Sequence, residues 1–477
     1  MTQMNYYTEN EQKIPITKFT EVVVIGAGSA GWSAAVGAAR CGAKVLLVDR
    51  DLNLGGTSTN SMMHLFGGPY DHSHGLMREV IDELSKSGEA KPGPLTPFDG
   101  RAYSTLLFKI VQNAGVEVLL NTWFSRAIIE NNEVKGVIVE NKGGRQAIMA
   151  DIVIDASGDG DVAASAGAEF VLGRTNDNKM RPISLLFRIG NVNVDSLLEW
   201  VESHPEEFKE DPNSHIINHE QGLYRLHGFF NITAKAREEG RLDKDCHYIR
   251  FEYLWPDRNS ALINSTRVYN VNGLKAEDLT KAVLKGREQI ETLFEFIKDS
   301  IPGCENTFII DIASQLGVRE TRHIIGDYIL QEEDLITERE FSDALFKDFR
   351  RMVPGAAVHS PDGNEGAKGD DLERDQSRKL FPFNIPYRSF LPKGIDNLLV
   401  AGRCFSADHQ ADGWTRDIPG CILMGQATGV ASAIAIRDNV KTRDVNLNKV
   451  RIELEKQNII VPKYSHLESK IPIVHQG

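Results

Sequence analysis

The 477-residue sequence is poor in cysteine, short of positive charge and without a long apolar run, and each shortage removes a class of function. Its five cysteines, Cys41, Cys246, Cys304, Cys404 and Cys421, lie far apart, with no CxxC pair and no close His/Cys cluster. That spacing disfavours a zinc site, an iron–sulfur cluster or a dithiol relay, so no metal is expected. An odd, sparse set of thiols fits a reducing, cytoplasmic setting. Lys and Arg number 54 against 67 Asp and Glu, a formal net charge of -13, which argues against nucleic acid as the main partner. Nowhere do 18 uninterrupted apolar residues occur, so no membrane span is expected. The polar start, MTQMNYYTENEQKIP, has no apolar signal core.

What is present is the composition of an ordinary globular enzyme, 41% hydrophobic and 25% charged, long enough for two or three domains. The first ordered element expected is Glu21–Ile25 (EVVVI), a β-branched run suited to a buried parallel strand. It runs into Gly26, Gly28 and Gly31, a GxGxxG, then a small-residue helix over Trp32–Cys41 and a second strand, Lys44–Val48, ending at Asp49. Gly26 allows the tight turn, Gly28 lets the backbone approach a pyrophosphate, and Gly31 allows close helix–sheet packing. Ser29 and Ala30, between the glycines, are expected cofactor contacts, and the positive end of the helix that follows faces the phosphates. Asp49 stands where a carboxylate accepts hydrogen bonds from a ribose. Its neighbour Arg50 either meets a ribose 2′-phosphate or is simply exposed. A dinucleotide-binding β-α-β unit follows from the agreement of all these parts.

Further along, amphipathic patterns predict helices at Gly75–Ser87 and near Tyr103–Ala114. An alternating tract (Val116–Leu120, Trp123–Ile129, Glu133–Val139, Gln146–Met149) predicts a small antiparallel meander with turns at Asn131-Asn132 and Gly143-Gly144. Ile152–Ile154 returns as a strand. From about residue 175 the chain is richer in charge and aromatics, with helices expected at Glu199–Phe208 and Ala276–Ile297. Gly355–Arg378 reads as a surface loop. Asn397–Ala401 and the helix Cys421–Ile436 look like a return to the first domain, and Asn446–Gln457 like a peripheral helix. The boundaries expected are 18–174 and 381–440 for the two parts of a dinucleotide-binding domain, 175–380 for an inserted substrate domain, and 441–477 for a tail.

Four more segments carry a resemblance. Gly55-Gly56-Thr57-Ser58 follows the ribose acid; Asp155-Ala156-Ser157-Gly158-Asp159-Gly160-Asp161 resembles "DATGDGD"; Gly317-Val-Arg319-Glu-Thr-Arg322 resembles "GVRETR". The run from Ile385 through Gly402-Arg403-Cys404, His409, Arg416 and Pro419 to Gly429 completes the set. Together they resemble the FAD-dependent oxidoreductase family distantly similar to the fumarate reductase and succinate dehydrogenase flavoproteins. The resemblance implies an α/β fold: a Rossmann-like FAD-binding domain (GR2-type, parallel sheet plus β-meander) with an inserted α+β substrate domain. It also implies FAD as cofactor, with Gly55, Gly56, Thr57 and Ser58 along the pyrophosphate, Ala156, Ser157, Gly158 and Asp159 completing the site, and Gly402 and Arg403 passing the ribityl chain.

At the flavin end, the helix beginning near Pro419, with Gly420 and Cys421 in its first turn, would place a positive dipole where reduced flavin gathers negative charge. Cys404 and Cys421 read as small buried residues rather than redox thiols. His409 suits proton transfer and Arg416 a carboxylate, so both are catalytic candidates, each with a structural hydrogen bond as the alternative. Arg319 and Arg322 would share one face of a helix and either clamp an anionic substrate or pair with Glu320, Asp327 and the interdomain surface. Met62 and Met63 read as pocket lining. His64 does not match the covalent attachment motif of related flavoproteins, so non-covalent FAD is expected. The function expected is hydride transfer between flavin N5 and a small organic substrate, with an anionic one allowed. A flavin monooxygenase and a protein in which FAD is structural or non-redox are the alternatives. The electron acceptor or donor and a homo-oligomeric state stay open.

Overall fold

The computed structural model describes residues 7, 9, 11–208, 215–352, 359–362 and 379–463. The run EVVVI is the inner half of a longer strand, Ile16–Ile25, whose last four residues are buried. Unlike a half-solvated strand it needs no alternation, because both faces of Val22–Ile25 are buried. It pairs in parallel with Val45–Val48 on one side (Val22↔Val45) and with Gly144–Asp155 on the other (Val22↔Ile152). Glu117–Leu119 extends the parallel edge beyond Val45–Val48.

Two expectations are corrected here. Val116–Leu120 does not belong to the meander: it pairs in parallel with the second strand and leaves Trp123–Glu130, Glu133–Asn141 and Gly144–Asp155 as the antiparallel part. The pieces expected at 146–149 and 152–154 are one twelve-residue strand, Gly144–Asp155. Its first half carries the meander, and its last three residues pair in parallel with Leu398–Val400, the returning strand. One long strand thereby joins the hairpin, the N-terminal unit and the C-terminal return into a 7-stranded sheet.

A second, antiparallel 6-stranded sheet lies within residues 187–312, in the order Ile216–Asn218, Leu223–Gly228, Ile249–Trp255, Ser260–Ile263, Phe187–Gly190, Phe308–Ile312. Its core includes Phe187, Leu226, Phe251 and Leu262, with Ile290, Leu293 and Ile297 from the helix Ala276–Ser300. Residues 324–352 and 383–391 contribute instead to the core of the first sheet, through Ile324, Phe346 and Phe390. The hairpin Ala344–Met352/Lys379–Pro386 (Asp348↔Phe383) belongs to that group. The expected loop 355–378 lies mostly outside the described residues.

The C-terminal helix Ile418–Asp438 is buried from Ile418 through Ala435. It is long and apolar enough to cross a membrane, but its apolar window is entirely inside the protein. A helix apolar all round needs partners all round. One is the small-residue helix Ser29–Arg40: a Cβ on Gly425 would overlap the carbonyl of Ala30, and one on Gly429 that of Ala34. Gly429→Leu should therefore destabilise the protein by about 3 kcal/mol or more, since overpacking costs ~1–3 kcal/mol where the site can give and here it meets backbone. A denaturant midpoint unchanged from the parent would remove this contact from the account.

Candidate active site

A cavity of about 540 Å³ opens at the carboxyl ends of the parallel strands and runs between the two sheets, the position where open α/β sheets bind ligands. At one end Gly26 has φ +94° and lies so close to the Ala156 carbonyl that no side chain fits. Gly28 is the opposite case. An added Cβ would meet nothing nearer than Gly56 Cα at 4.0 Å, because that direction is the open cavity. Gly28 and Gly55 form a parallel bridge, Gly55 N–H donates to Ala27 O at 2.8 Å, and the Ser29 and Ser58 hydroxyls meet at 3.1 Å. The two glycine segments thus form one rim of backbone at the start of the helix Ser29–Arg40, suited to a pyrophosphate.

Asp49 lines the cavity, and its carboxylate accepts the Ala27 and Asp51 (2.7 Å) amides. Burial raises its pKa, and those two amides oppose the rise. Arg50 stacks over the Trp123 ring at 5.2 Å, and both side chains line the same end, where an adenine has a flat wall. These features fit a dinucleotide.

The expected cofactor residues divide by position. Gly26, Gly28, Ser29, Ala30, Asp49 and Arg50 line the cavity. So do Gly56 and Thr57, the four residues Ala156 to Asp159, and Gly402, Arg403 and Cys421. Gly31, Gly55, Ser58, Pro419 and Gly420 do not; they stand one layer behind. Gly31 lies under Gly26 O, Ser58 is fully buried, and Gly420 leaves room for Thr415 O and Arg350. Several motif residues brace one another. Arg403 donates to Gly158 O (2.8 Å) and Asp159 (2.7 Å) and also reaches Val318 O, while Thr321 donates to Asp159 (2.8 Å). Beneath them Asp155 is buried and accepts from Ser157 and Ala163; burial moves its pKa up to about 6.

Of the four catalytic candidates, Arg319 and Arg416 line the cavity and His409 and Arg322 do not. Residues 316–321 are not helical, so Arg319 and Arg322 share no helix face. Arg319 donates to Pro182 O (2.6 Å) and Ser184 Oγ (2.9 Å), whereas Arg322 holds Asp159 O and Asp161. His409 Nδ1 lies 2.6 Å from Glu320 Oε1, the same oxygen that His323 Nε2 (2.8 Å) and Arg181 Nη1 (2.9 Å) approach. Arg181 also pairs with Asp412 at 2.9 Å, all three charged side chains having no exposure. The two histidines and the carboxylate are metal-ligand types in reach of one another. The guanidinium and two imidazole N–H groups already saturate the shared oxygen as a hydrogen-bonded hub. Its charges hold Glu320 ionised far below the usual carboxylate range.

Arg416 differs from every other arginine around the hub. No described residue donates to or accepts from its guanidinium within hydrogen-bond range: its Nε is buried without a partner, and Asp412 Oδ2 lies 3.9 Å off. Burial and the neighbouring Arg181 lower its pKa to about 10, so it stays a cation at neutral pH. The helix expected to begin near Pro419 starts at Ile418 and is capped: Asp417 precedes it and accepts Gly420 N–H at 3.2 Å.

Residue-type reasoning missed the wall contributed by the 6-stranded sheet. Arg225, His227, Arg250 and Glu252 all line the cavity, with Arg225 Nε on Glu252 at 3.0 Å and Arg250 Nη2 on His227 Nδ1 at 3.0 Å. The signal existed: LYRLHG and IRFEYLW place polar residues two apart, hence on one face of otherwise apolar strands. Of the Met62–His64 trio, Met63 lines the cavity while His64 turns away, against Phe98 and 3.3 Å from Tyr253 OH. Burial pushes the His64 pKa down to about 4.

The chain matches the family model described as FAD dependent oxidoreductase over residues 21–454, and it belongs to that family. FAD is its cofactor. Among curated proteins, a thiamine thiazole synthase of Aeropyrum pernix is 37% identical over 125 residues, 25% of this chain and 43% of that protein. A digeranylgeranylglycerophospholipid reductase 2 of Methanopyrus kandleri is 31% identical over 147 residues, 29% of this chain and 37% of that one. The chain therefore spans less than half the length of either relative. Among solved structures, a geranylgeranyl bacteriochlorophyll reductase-like protein from Thermoplasma acidophilum superposes with TM-score 0.46 at 14% identity, covering 92% of this chain and 83% of that one. A myxobacterial chondrochloren halogenase gives TM-score 0.47 at 14% identity, covering 92% and 79%.

Gly28→Val tests the cradle cleanly, because the added atoms enter open space rather than protein. The variant should keep the parent's thermal midpoint without cofactor, yet bind FAD about 100-fold more weakly, as ~1–3 kcal/mol of overlap implies. Full retention of FAD through purification would contradict this placement.

Proposed function

We propose that this FAD dependent oxidoreductase is a dehydrogenase or reductase of a small anionic organic molecule. The single observation that carries this reading is Arg416, a largely buried cation, 15% exposed, that lines the cavity with no hydrogen-bond partner among the described residues. A buried guanidinium left open is costly unless a ligand completes it, and a carboxylate matches its fork. In support, a chain of net charge -13 sets Arg225, Arg250, Arg319, Arg350 and Arg351 around the same cavity as Arg416. Bound FAD would supply the hydride acceptor or donor. The protein's own residues bind and orient: Arg416 anchors the anion, the Arg225–Glu252 pair and Asn264 fix the far wall, and Trp414 and Met63 exclude water. His409 acts through the Glu320–Arg181–Asp412 hub as a positioning residue rather than on the substrate. The C-terminal run through His409, Arg416 and Pro419 supports distant kinship with the fumarate reductase and succinate dehydrogenase flavoproteins. FAD is held without a covalent bond, a reading supported by His64 facing away from the cavity.

Anaerobic mixing of the yellow protein with a panel of hydroxy-acids and dicarboxylates should bleach the flavin with at least one member. Arg416→Ala should then raise the KM for that anion by about 100-fold, the ~2–3 kcal/mol of a lost charge-assisted pair, with kcat less affected and Arg416→Lys intermediate. Equal KM values, or bleaching only by uncharged compounds, would overturn the anionic assignment. Acid precipitation should leave the colour in the supernatant; a yellow pellet would show covalent attachment.

A further inference from the structure

Arg416 and its hub are balanced, two cations against two anions, but the neighbouring cluster is not. Asp348 and Asp417 share one cation, Arg350. Its Nη1 lies 2.7 Å from Asp348 Oδ1, its Nε donates to Asp417 Oδ1 at 3.0 Å, and its Nη2 sits 2.9 Å from that same oxygen without hydrogen-bond alignment. Gly420 N–H also points at Asp417 Oδ1. Every donor is thus on one oxygen. Oδ2 receives none from any described residue; it lies beside Gly67, at 2.7 Å from where that residue's Cβ would be, in a side chain that is 34% exposed and lines the cavity. Asp348 Oδ2 is buried without a partner. Two carboxylates on one guanidinium leave one negative charge in excess beside the buried Asp348, so the cavity-facing Asp417 takes up a proton more readily than a free carboxylate.

The nucleotide rim at Gly28, Asp49 and Arg50 occupies one end of the cavity, so the end lined by Gly67, Arg350 and Asp417 is the one left for the reacting ring. We propose that Asp417 is the proton-accepting group of the reaction, taking a proton on Oδ2 when the cofactor is reduced. This rests on the redox reading of the cavity given above. The balance is simple. A hydroxylated substrate loses a C–H hydrogen with its electron pair to the FAD and its O–H proton to Oδ2, and becomes a carbonyl; reduction runs the same steps backwards.

Burial and Asp348 raise the Asp417 pKa to about 6 against the pull of Arg350. Three other groups near the cluster lie well away from that range, and His359 lines the same cavity. Cys421, on the same helix, is pushed up to about 12, His74, packed towards Arg350, is pushed down to about 4, and Arg416 lies at about 10. Above pH 6 Asp417 is therefore mostly ionised in the oxidised protein. A negative charge arriving in the cavity with the reduced cofactor would raise the Asp417 pKa further and so return the proton near pH 7.

The test needs no substrate. Reduction of the FAD-loaded protein by dithionite in weakly buffered indicator solution, after subtracting the protons that dithionite releases on oxidation to sulfite (measured with ferricyanide, whose reduction takes up no proton), should take up nearly two protons per electron pair at pH 7, and about one at pH 5 where Asp417 already carries its proton. Asp417→Asn, which keeps the helix cap, should take up about one at both. Asp348→Asn removes the repelling charge and should move the extra uptake to lower pH. Identical proton counts in wild type and Asp417→Asn at pH 7 would overturn the proposal. Failure of every anion to bleach the flavin would instead sink the functional reading and leave the proton count standing on its own.

Discussion

Everything in the site depends on one contact, the glycine-lined approach of the helix Ile418–Asp438 to the helix Ser29–Arg40. Gly425 and Gly429 lie one turn apart, so the lost side chains make a flat strip into which the backbone of Ala30 and Ala34 settles. Residues almost 400 positions apart become neighbours through that strip. The first turn of one helix then borders the nucleotide rim at Gly28, and the cap of the other, Asp417, reaches the far end of the same cavity beside Gly67. Any side chain in the strip would move the two ends of the cavity relative to one another.

Around that frame the protein buries an unusual amount of charge and treats two clusters differently. Arg181, Glu320, Asp412 and Arg416 sum to zero, and the Glu320 oxygen is saturated by Arg181 and two histidines. Desolvating each ion costs several kcal/mol, recovered only where every partner is in place. Three donors on one Glu320 oxygen tie Arg181, His323 and His409 together, while Asp412 Oδ1 and His323 Nδ1 are buried without a partner and the open fork of Arg416 lines the cavity beside them. The Asp348–Arg350–Asp417 cluster carries an excess negative charge instead, so its protonation can follow the charge of whatever lies in the cavity. In the function proposed above, binding and proton handling fall to these two adjacent clusters, which differ in their charge sums.

The motifs have a mixed character that follows from the same geometry. Asp159, Arg322 and Arg403 spend polar groups on one another, and Asp155 on Ser157 and Ala163, tying the segment after the long strand to residues 318–322 and to the returning strand. Such residues are needed for the cofactor site without all touching a ligand. The sequence pattern identifies them as a set because they meet in space; it does not separate those that face the cavity from those that hold the facing ones.

By itself the sequence determined the β-α-β unit, the late strand and helix, and the nucleotide end of the cavity. Those features rest on local spacing: β-branched runs for buried strands, GxGxxG for the turn, and an acid at the end of the second strand. Only the tertiary structure decided that Val116–Leu120 leaves the meander, because strand direction is set by which edge is free. It placed His409 behind Glu320 and left Arg416 open, since orientation around a hub of residues 181, 320 and 412 has no local signature. It also brought Asp348 and Asp417 onto one arginine, a charge imbalance visible only when three distant side chains share a few ångströms of low-dielectric space.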